Sequence, residues 1–306
     1  MNSLIREGRH FKKNAPLFLL GLPALFALIL VYYVPMFGLV IAFKNYSYDL
    51  GIWKSPWAGL KNFEFFFTSE DAFRVTRNTL LLNGSFIIIS FAAAIVVALM
   101  LNDLKKREIK LFQTVLFIPY FISWIVVGYL LYGFLAPNYG IVNTVLKSFN
   151  LAPVDWYSEP AYWPAILIIC YLWKNVGYLT IIFYTGILGI DSTYYEAASI
   201  DGASRFQQAR MITIPLIRPL IILMLILSIG KIFYSDFGLF FFVPREMGQL
   251  LPATDVIDTY VYRSLRVVGD LGMASAAGFY QSIVGFVLVM ASNLVIRKID
   301  RENAVF

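Results

Sequence analysis

Six stretches of this sequence are long and apolar enough to cross a lipid bilayer. A bilayer core about 30 Å thick requires roughly 20 mostly apolar residues per helix. The stretches cover residues 15–43, 79–101, 111–135, 161–190, 214–242 and 273–296. Hydrophobic residues make up 59% of the chain and charged residues only 14%, whereas soluble domains average about 25% charged residues. The sequence therefore predicts an all-α integral membrane protein with six transmembrane helices and both termini on one side.

The first stretch, residues 15–43, follows a basic leader at residues 1–14 that resembles the start of a secretory signal. A signal peptide has an apolar stretch of about 7–15 residues and a small-residue cleavage site. This stretch is longer, has no such site and contains Pro23 and Pro35. We therefore expect it to remain in the protein as the first transmembrane helix.

Lysine and arginine are distributed unevenly between the two sides of the predicted membrane. Thirteen of them lie on the side of the termini, in residues 1–14, 102–110, 191–213 and 297–306. Nine lie in the longer opposite segments, residues 44–78, 136–160 and 243–272. Because short cytoplasmic segments carry an excess of positive charge, we expect cytoplasmic termini and an extracytoplasmic 44–78 segment.

The composition argues against several classes of cofactor and partner. One cysteine, Cys170, allows no internal disulfide, and together with the single His10 it offers too few ligands for zinc, haem or an iron–sulfur cluster. The number of cysteine and histidine residues does not exclude a metal site made only of carboxylates, but we expect no metal and no cofactor. The charge of +6 is spread over the chain, which suits membrane topology better than nucleic-acid binding.

The loop between the fourth and fifth stretches, residues 191–215, has signals for two helices. Asp191 or Ser192 can cap the first helix, and Gly202 suits its end because glycine adopts positive φ without strain. A second short helix is predicted over 204–213, with Pro215 at the start of the next span. Composition alone would fit an ordinary helical connector.

Residue spacing in this loop adds a family resemblance. Glu196-Ala197-Ala198-x-x-Asp201-Gly202-Ala203, followed by Ile212, Ile214 and Pro215, resembles the EAA loop of permease subunits of binding-protein-dependent ABC importers, in their carbohydrate branch. Further similarity to maltose-permease-like proteins of the polysaccharide subgroup lies at residues 22–24, 33–38, 41–44, 59–63, 173–177 and 185–188. Ala209 departs from the family pattern, in which phenylalanine is frequent.

The resemblance implies a type I ABC importer permease fold, a bacterial cytoplasmic-membrane location and a function. The chain would form half of the pathway for an oligosaccharide delivered by an extracytoplasmic solute-binding protein. Its other partners would be a second homologous permease, two cytoplasmic ABC ATPases and membrane lipid. The permease core would be residues 79–296, with a cytoplasmic tail at 297–306. The ATPase-coupling residues implied are Glu196, Ala197, Ala198, Asp201, Gly202, Ala203 and Pro215.

The chain is not expected to be an enzyme. The phosphate-binding pattern G-x-x-x-x-G-K-[ST] does not occur in the sequence, so ATP hydrolysis would fall to the separate ATPase subunits. The predicted spans contain no histidine, and no acid–base pair is evident.

Ionisable side chains within predicted spans are candidates for the substrate pathway, because charges in a membrane are costly and usually face a bundle interior. Structural pairing with another helix explains Lys174 and Lys231 about as well. Two such lysines would suit an acidic oligosaccharide. The substrate-pathway candidates are Tyr171, Lys174, Asn175, Tyr178, Lys231, Tyr234, Asp236 and Gln281.

Two alternative functions stay open at this point. The chain could be an ABC permease for another solute, such as glycerol phosphate. It could also be an ion-coupled secondary transporter with Lys174, Lys231 and Asp236 as a relay, which would leave the EAA-like loop unexplained.

Overall fold

The computed structural model describes residues 15–299, and the regular secondary structure of this part of the chain is helical apart from a single antiparallel bridge between Lys44 and Trp57. The leader and residues 300–306, with His10, lie outside the described residues. The helices are Ala15–Leu28, Ile29–Tyr33, Val34–Phe43, Gly51–Lys54, Lys61–Thr68, Glu70–Asn102, Lys106–Phe117, Ile118–Phe121, Trp124–Leu135, Ile141–Ser148, Pro160–Tyr162, Trp163–Leu188, Ser192–Ile200, Arg205–Gln208, Ala209–Thr213, Ile214–Ile229, Phe237–Phe242, Gly248–Leu250, Leu251–Thr254, Ile257–Arg263, Ser264–Val268 and Leu271–Ile299.

Five continuous helices in the described region are long and apolar enough to cross a membrane: Phe18–Phe43, Glu70–Asn102, Pro160–Leu188, Arg205–Ile229 and Leu271–Leu294. A pair of helices, Arg107–Phe121 and Trp124–Leu135, passes the same test together but is bent by 96°. We number the spans from first to sixth in chain order, with the bent pair as the third. The predicted all-α membrane architecture is confirmed, with five candidate spans, or six when the bent pair is counted as one.

The second span begins nine residues earlier than predicted, at Glu70 rather than residue 79. Ser69 caps it by accepting a hydrogen bond from the Ala72 amide, and acidic residues occupy its first turn, where the helix dipole favours negative charge. Arg74 and Arg77 precede the apolar run but lie within the helix, because arginine is a good helix former. Arg74 also pairs with the buried Asp255 at 3.1 Å.

The third span, predicted as one helix over 111–135, is broken. Its first half ends in a short 3-10 helix, Ile118–Phe121, which contains Pro119. Ile122 is extended, and Ser123 then caps the second half by accepting from the Val126 amide. Proline cannot donate the backbone hydrogen bond that a continuous helix needs, which accounts for the break.

The fifth span also differs from its predicted bounds of 214–242. It begins at Arg205, because a π-helical turn at Ala209–Thr213 joins the predicted second loop helix to Ile214–Ile229 without a gap. The π turn shifts the hydrogen-bond register just before Pro215, which has no N–H to donate. The helix ends at Ile229, and Phe237–Phe242 forms a separate helix.

The second span packs along the fourth, and a buried cluster connects it to the sixth. Phe91 contacts Phe183 of the fourth span in one buried cluster, and Val75 and Ala277 of the sixth span share another. The first span packs on the sixth mainly through Val34–Phe43. These contacts leave a central cavity between the second, fourth and fifth spans.

Candidate functional site

The loop at residues 191–215, which we call the coupling loop, begins with a capped helix, Ser192–Ile200. The Asp191 carboxylate accepts a hydrogen bond from the Thr193 amide at 2.9 Å. This bond holds the pKa of Asp191 below its ordinary value, and the carboxylate satisfies one of the free amides of the first turn.

Gly202 makes the turn that ends this helix, at the position the sequence predicts. Its φ is +78°, in the left-handed region. The Gly202 amide donates to the Ser199 carbonyl at 3.1 Å and the Ala203 amide to the Ala198 carbonyl at 2.9 Å. This is the pair of bonds of a Schellman motif, and it favours glycine at the left-handed position.

Hydrogen bonds connect the two helical segments of the coupling loop. They involve side chains that the sequence analysis did not identify as candidates. Gln208 is buried, and its amide donates to the Ser199 hydroxyl at 3.0 Å and to the Ala203 carbonyl at 3.3 Å. The hydroxyls of Tyr195 and Thr213 are 2.9 Å apart. Because Thr213 is part of the fifth span, a displacement of the loop would be transmitted to that span.

Most of the residues expected to couple to an ATPase are accessible. Glu196, Ala197, Asp201, Gly202 and Pro215 are exposed, and Ala198 and Ala203 are half-buried. Three large apolar side chains of the loop, which sequence reasoning missed, are more than 70% exposed: Ile200 by 86%, Phe206 by 74% and Met211 by 71%. Exposed apolar side chains of this size are typical of a protein interface.

The central cavity has a volume of about 530 Å³. Six of the eight predicted pathway residues line it: Tyr171, Asn175, Tyr178, Lys231, Tyr234 and Asp236. Lys174 and Gln281 are not among its lining residues. Three candidates at helical spacing along the fourth span, Tyr171, Asn175 and Tyr178, thus line this cavity, and their role in a substrate pathway stays a prediction.

Aromatic rings form much of the cavity wall. Phe86 and Tyr171 stack with ring centroids 4.3 Å apart and planes 6° apart. Tyr120 and Tyr178 stack at 4.9 Å and 11°. Sequence reasoning missed Tyr120, because it lies at the break of the third span and no periodic pattern places it beside the fourth.

Lys174 binds the broken end of the third span. Its ammonium donates to the carbonyl oxygens of Tyr120, at 2.6 Å, and Ile122, and lies 5.3 Å from the centre of the Trp124 ring. The residue is only 9% exposed. A helix break inside a membrane leaves carbonyls without amide partners, and each needs another donor. These contacts favour a structural role for Lys174.

Asp236 is held in place by a residue of the third span. One carboxylate oxygen accepts from the Trp124 indole at 2.6 Å, and the other accepts from the amides of Gly238 and Leu239. Both oxygens are therefore engaged, although the residue lines the cavity.

The break after the fifth span is fixed by polar side chains of three other elements. Asn83 of the second span donates to the Ile232 carbonyl at 2.8 Å. Gln281 of the sixth donates to the Phe233 carbonyl, and Asp258 accepts from the Ser235 amide at 2.7 Å. Gln281, predicted as a substrate-pathway residue, is thus a structural donor to a broken helix.

Lys231 differs from Asp236, the other charged residue that lines the cavity. Its side chain is exposed and lines the cavity. Within residues 15–299, the structure gives its ammonium no ion pair and no hydrogen bond. The cavity therefore presents one free cation beside stacked aromatic rings.

Comparison with known proteins identifies the family. Residues 90–301 match the family described as "Binding-protein-dependent transport system inner membrane component". The protein LplB of Bacillus subtilis (strain 168) is 34% identical over 95% of this chain and 92% of its own. The polygalacturonan/rhamnogalacturonan transport system permease protein YteP of the same organism is 34% identical over 94% of this chain and 89% of its own.

Solved structures agree with this assignment. A chain of a bacterial ABC transporter involved in the import of the acidic polysaccharide alginate superimposes with a TM-score of 0.87, at 33% identity, over 96% of this chain and 99% of that chain. A chain of the alginate transporter in complex with an alginate pentasaccharide-bound periplasmic protein gives a TM-score of 0.86, at 32% identity, over 95% and 97%. This chain therefore belongs to the family of binding-protein-dependent transport system inner membrane components, and is a multi-pass permease subunit of an ABC importer rather than an enzyme.

Proposed function

We propose that this permease forms one half of the translocation pathway for an oligosaccharide, with a second, homologous permease as the other half. Two cytoplasmic ABC ATPases would bind the coupling loop and its counterpart. An extracytoplasmic solute-binding protein would deliver the sugar, and the chain would have cytoplasmic termini in a bacterial membrane. The single observation that carries the proposal is the coupling loop, which is exposed, capped at both ends and fixed to the fifth span.

The coupling loop suits a mechanical role. The small side chains of Ala197 and Ala198 allow a partner close approach, and the exposed Glu196 has no ion pair within the described residues, so it is available to a basic residue of an ATPase. Ile200 and Phe206 supply apolar area for the same contact. The hydrogen bond between Tyr195 and Thr213 gives a route by which ATPase movement would reach the fifth span.

The central cavity suits a sugar. Aromatic ring faces pack against the C–H faces of pyranose rings, and hydroxyl and amide groups pair with sugar hydroxyls. Tyr171, Tyr178 and Tyr234 line the cavity together with Asn175. YteP and the alginate transporter are described as acting on polysaccharides, and we extend that substrate class to this chain as part of the proposal.

The segments at 44–78 and 243–272 would receive the solute-binding protein. They join at the outer end of the second span, where Asp255 accepts hydrogen bonds from Arg74 at 3.1 Å and Arg263 at 2.6 Å. A protein that binds both segments would therefore act on one connected unit.

The test is to tag this chain, solubilise it gently from its membrane and identify what copurifies. We expect a second permease, an ATPase and a solute-binding protein, and ATP-dependent saccharide uptake after reconstitution of the four components. Uptake of a non-sugar such as glycerol phosphate would keep the ABC assignment and overturn the substrate class. Transport by this chain alone, without ATP, would favour the ion-coupled alternative.

A further inference from the structure

The two charged residues of the central cavity are not paired with each other within the described residues. Its charged lining residues are Lys231 and Asp236. The Asp236 carboxylate accepts from Trp124 through one oxygen and from two backbone amides through the other. Both oxygens of Asp236 are thus engaged by neutral donors, and neither forms an ion pair with Lys231 within the described residues. The Lys231 ammonium therefore keeps its hydrogen-bond donors for a ligand in the cavity.

Lys174, the other lysine that the sequence places in the membrane, is not available to a ligand in this way. Its ammonium is engaged by the carbonyls of Tyr120 and Ile122 and by the Trp124 ring. It also does not line the cavity. The preference for an acidic sugar, which the sequence distributes over two lysines, therefore rests on Lys231.

Hydrogen bonds fix the position of the backbone around Lys231. The residue lies just beyond the end of Ile214–Ile229, where Asn83 and Gln281 bind the next two carbonyls. Its own carbonyl accepts from the Tyr234 amide at 2.8 Å. A charged group on a fixed backbone loses less conformational freedom when it binds a ligand.

The surroundings of Lys231 match a sugar acid. Tyr234 and Tyr171 line the same cavity, and the carbonyl end of the preceding helix favours a cation nearby. A uronic acid residue carries a ring for the aromatic side chains and a carboxylate for the ammonium, and this charge-assisted hydrogen bond is stronger than a neutral one.

We propose that Lys231 binds the carboxylate of an acidic sugar unit in the central cavity and makes this permease selective for anionic oligosaccharides. This inference rests on the proposed function, because it assumes that the cavity belongs to a saccharide pathway. The residue acts on the substrate in transit, independently of the selection made by the solute-binding protein.

The experiment uses the complete importer in proteoliposomes, with its binding protein, second permease and ATPases. Uptake is measured for trisaccharides of galacturonate, mannuronate and glucuronate and for the neutral maltotriose. We expect wild type to take up at least one uronate. Lys231→Met should lower uptake of that sugar roughly ten- to a hundredfold, the range of a hydrogen bond to a charged group, Lys231→Arg should retain most of it, and Lys231→Glu should be lower than Lys231→Met.

Controls separate this role from a structural one. Lys147→Met removes an exposed lysine outside the cavity and should transport normally. Recovery of the assembled complex and ATPase stimulation by the binding protein should be unchanged in Lys231→Met. Wild-type uptake of maltotriose alone, or uronate uptake by Lys231→Met at the wild-type rate, would overturn the inference. Uptake of none of the saccharides would instead overturn the proposed function.

Discussion

The indole of Trp124 donates a hydrogen bond of 2.6 Å to the carboxylate of Asp236, and this bond joins the two breaks in the membrane helices. Trp124 is the first residue of the second half of the third span, and Asp236 caps the helix that follows the fifth span. Substrate in the central cavity would therefore lie against two breaks that are bound to each other. A change at one break is expected to alter the other.

Replacement of Trp124 by phenylalanine tests this connection. The variant keeps an aromatic ring but removes the donor to Asp236, so a carboxylate beside the cavity loses a charged hydrogen bond worth about 1.5–3 kcal/mol. We expect the Tm of the purified permease complex to fall by about 5 °C. Trp173→Phe is the matched control, because no hydrogen bond to its indole is seen within residues 15–299. Equal Tm values for the two variants would contradict the connection.

Lys174→Met should destabilise the permease rather than change its substrate preference. The carbonyls of Tyr120 and Ile122 lose their donor, and a buried unsatisfied group costs about 1–3 kcal/mol. We expect a lower Tm and a similar fractional loss of uptake for charged and neutral saccharides. A stable variant that loses only uronate uptake would place Lys174 in the substrate pathway after all.

The sequence predicted the spans well and their breaks poorly, for a physical reason. Apolar composition indicates which residues can lie in lipid but not whether they form a continuous helix. Residues Ile118–Ile122 have the same composition whether the chain there is helical or bent. The donors that stabilise the breaks are distant in sequence: Lys174 is 52 residues from Ile122, and Asn83 is 149 residues from Ile232. Local signals therefore located the turn at Gly202 but could not locate these breaks.

The same limit applies to the candidate site. Polar residues at helical spacing placed Tyr171, Asn175 and Tyr178 on one wall of the cavity, because one continuous helix carries all three. The sequence could not separate the engaged Lys174 from the free Lys231, since their partners belong to other spans.

Gly177 lies where the fourth span crosses the first half of the third. A Cβ atom at this position would lie 1.8 Å from the Leu116 carbonyl oxygen, so the two backbones would have to separate. We expect Gly177→Ala to lower the free energy of unfolding by about 1–3 kcal/mol, the usual cost of overpacking, or to reduce recovery of the folded protein. Gly84→Ala is the control, since a Cβ there has no heavy atom within 4 Å. Thermal unfolding of the two purified variants distinguishes them, and a Gly177→Ala variant as stable as Gly84→Ala would refute the close crossing.

Gly202→Val should uncouple ATP hydrolysis from transport. Gly202 has a φ of +78°, which a β-branched residue strongly disfavours. A Cβ at this position would have no heavy atom within 4 Å, so the strain is confined to the coupling loop and the spans should still fold. We expect normal insertion and complex recovery, with saccharide uptake reduced at least tenfold and ATPase activity no longer stimulated by the binding protein.

Gly202→Asn tests whether coupling requires the left-handed backbone conformation or the absence of a side chain at this position. Asparagine tolerates the left-handed region far better than valine, so this variant should keep the two hydrogen bonds from the amides of residue 202 and Ala203, and retain most of its uptake. If both variants fail equally, the partner ATPase requires the absence of a side chain at this position rather than the turn. If both transport normally, the coupling loop does not transmit the ATPase movement, and the coupling role proposed for Glu196, Asp201 and Gly202 is wrong.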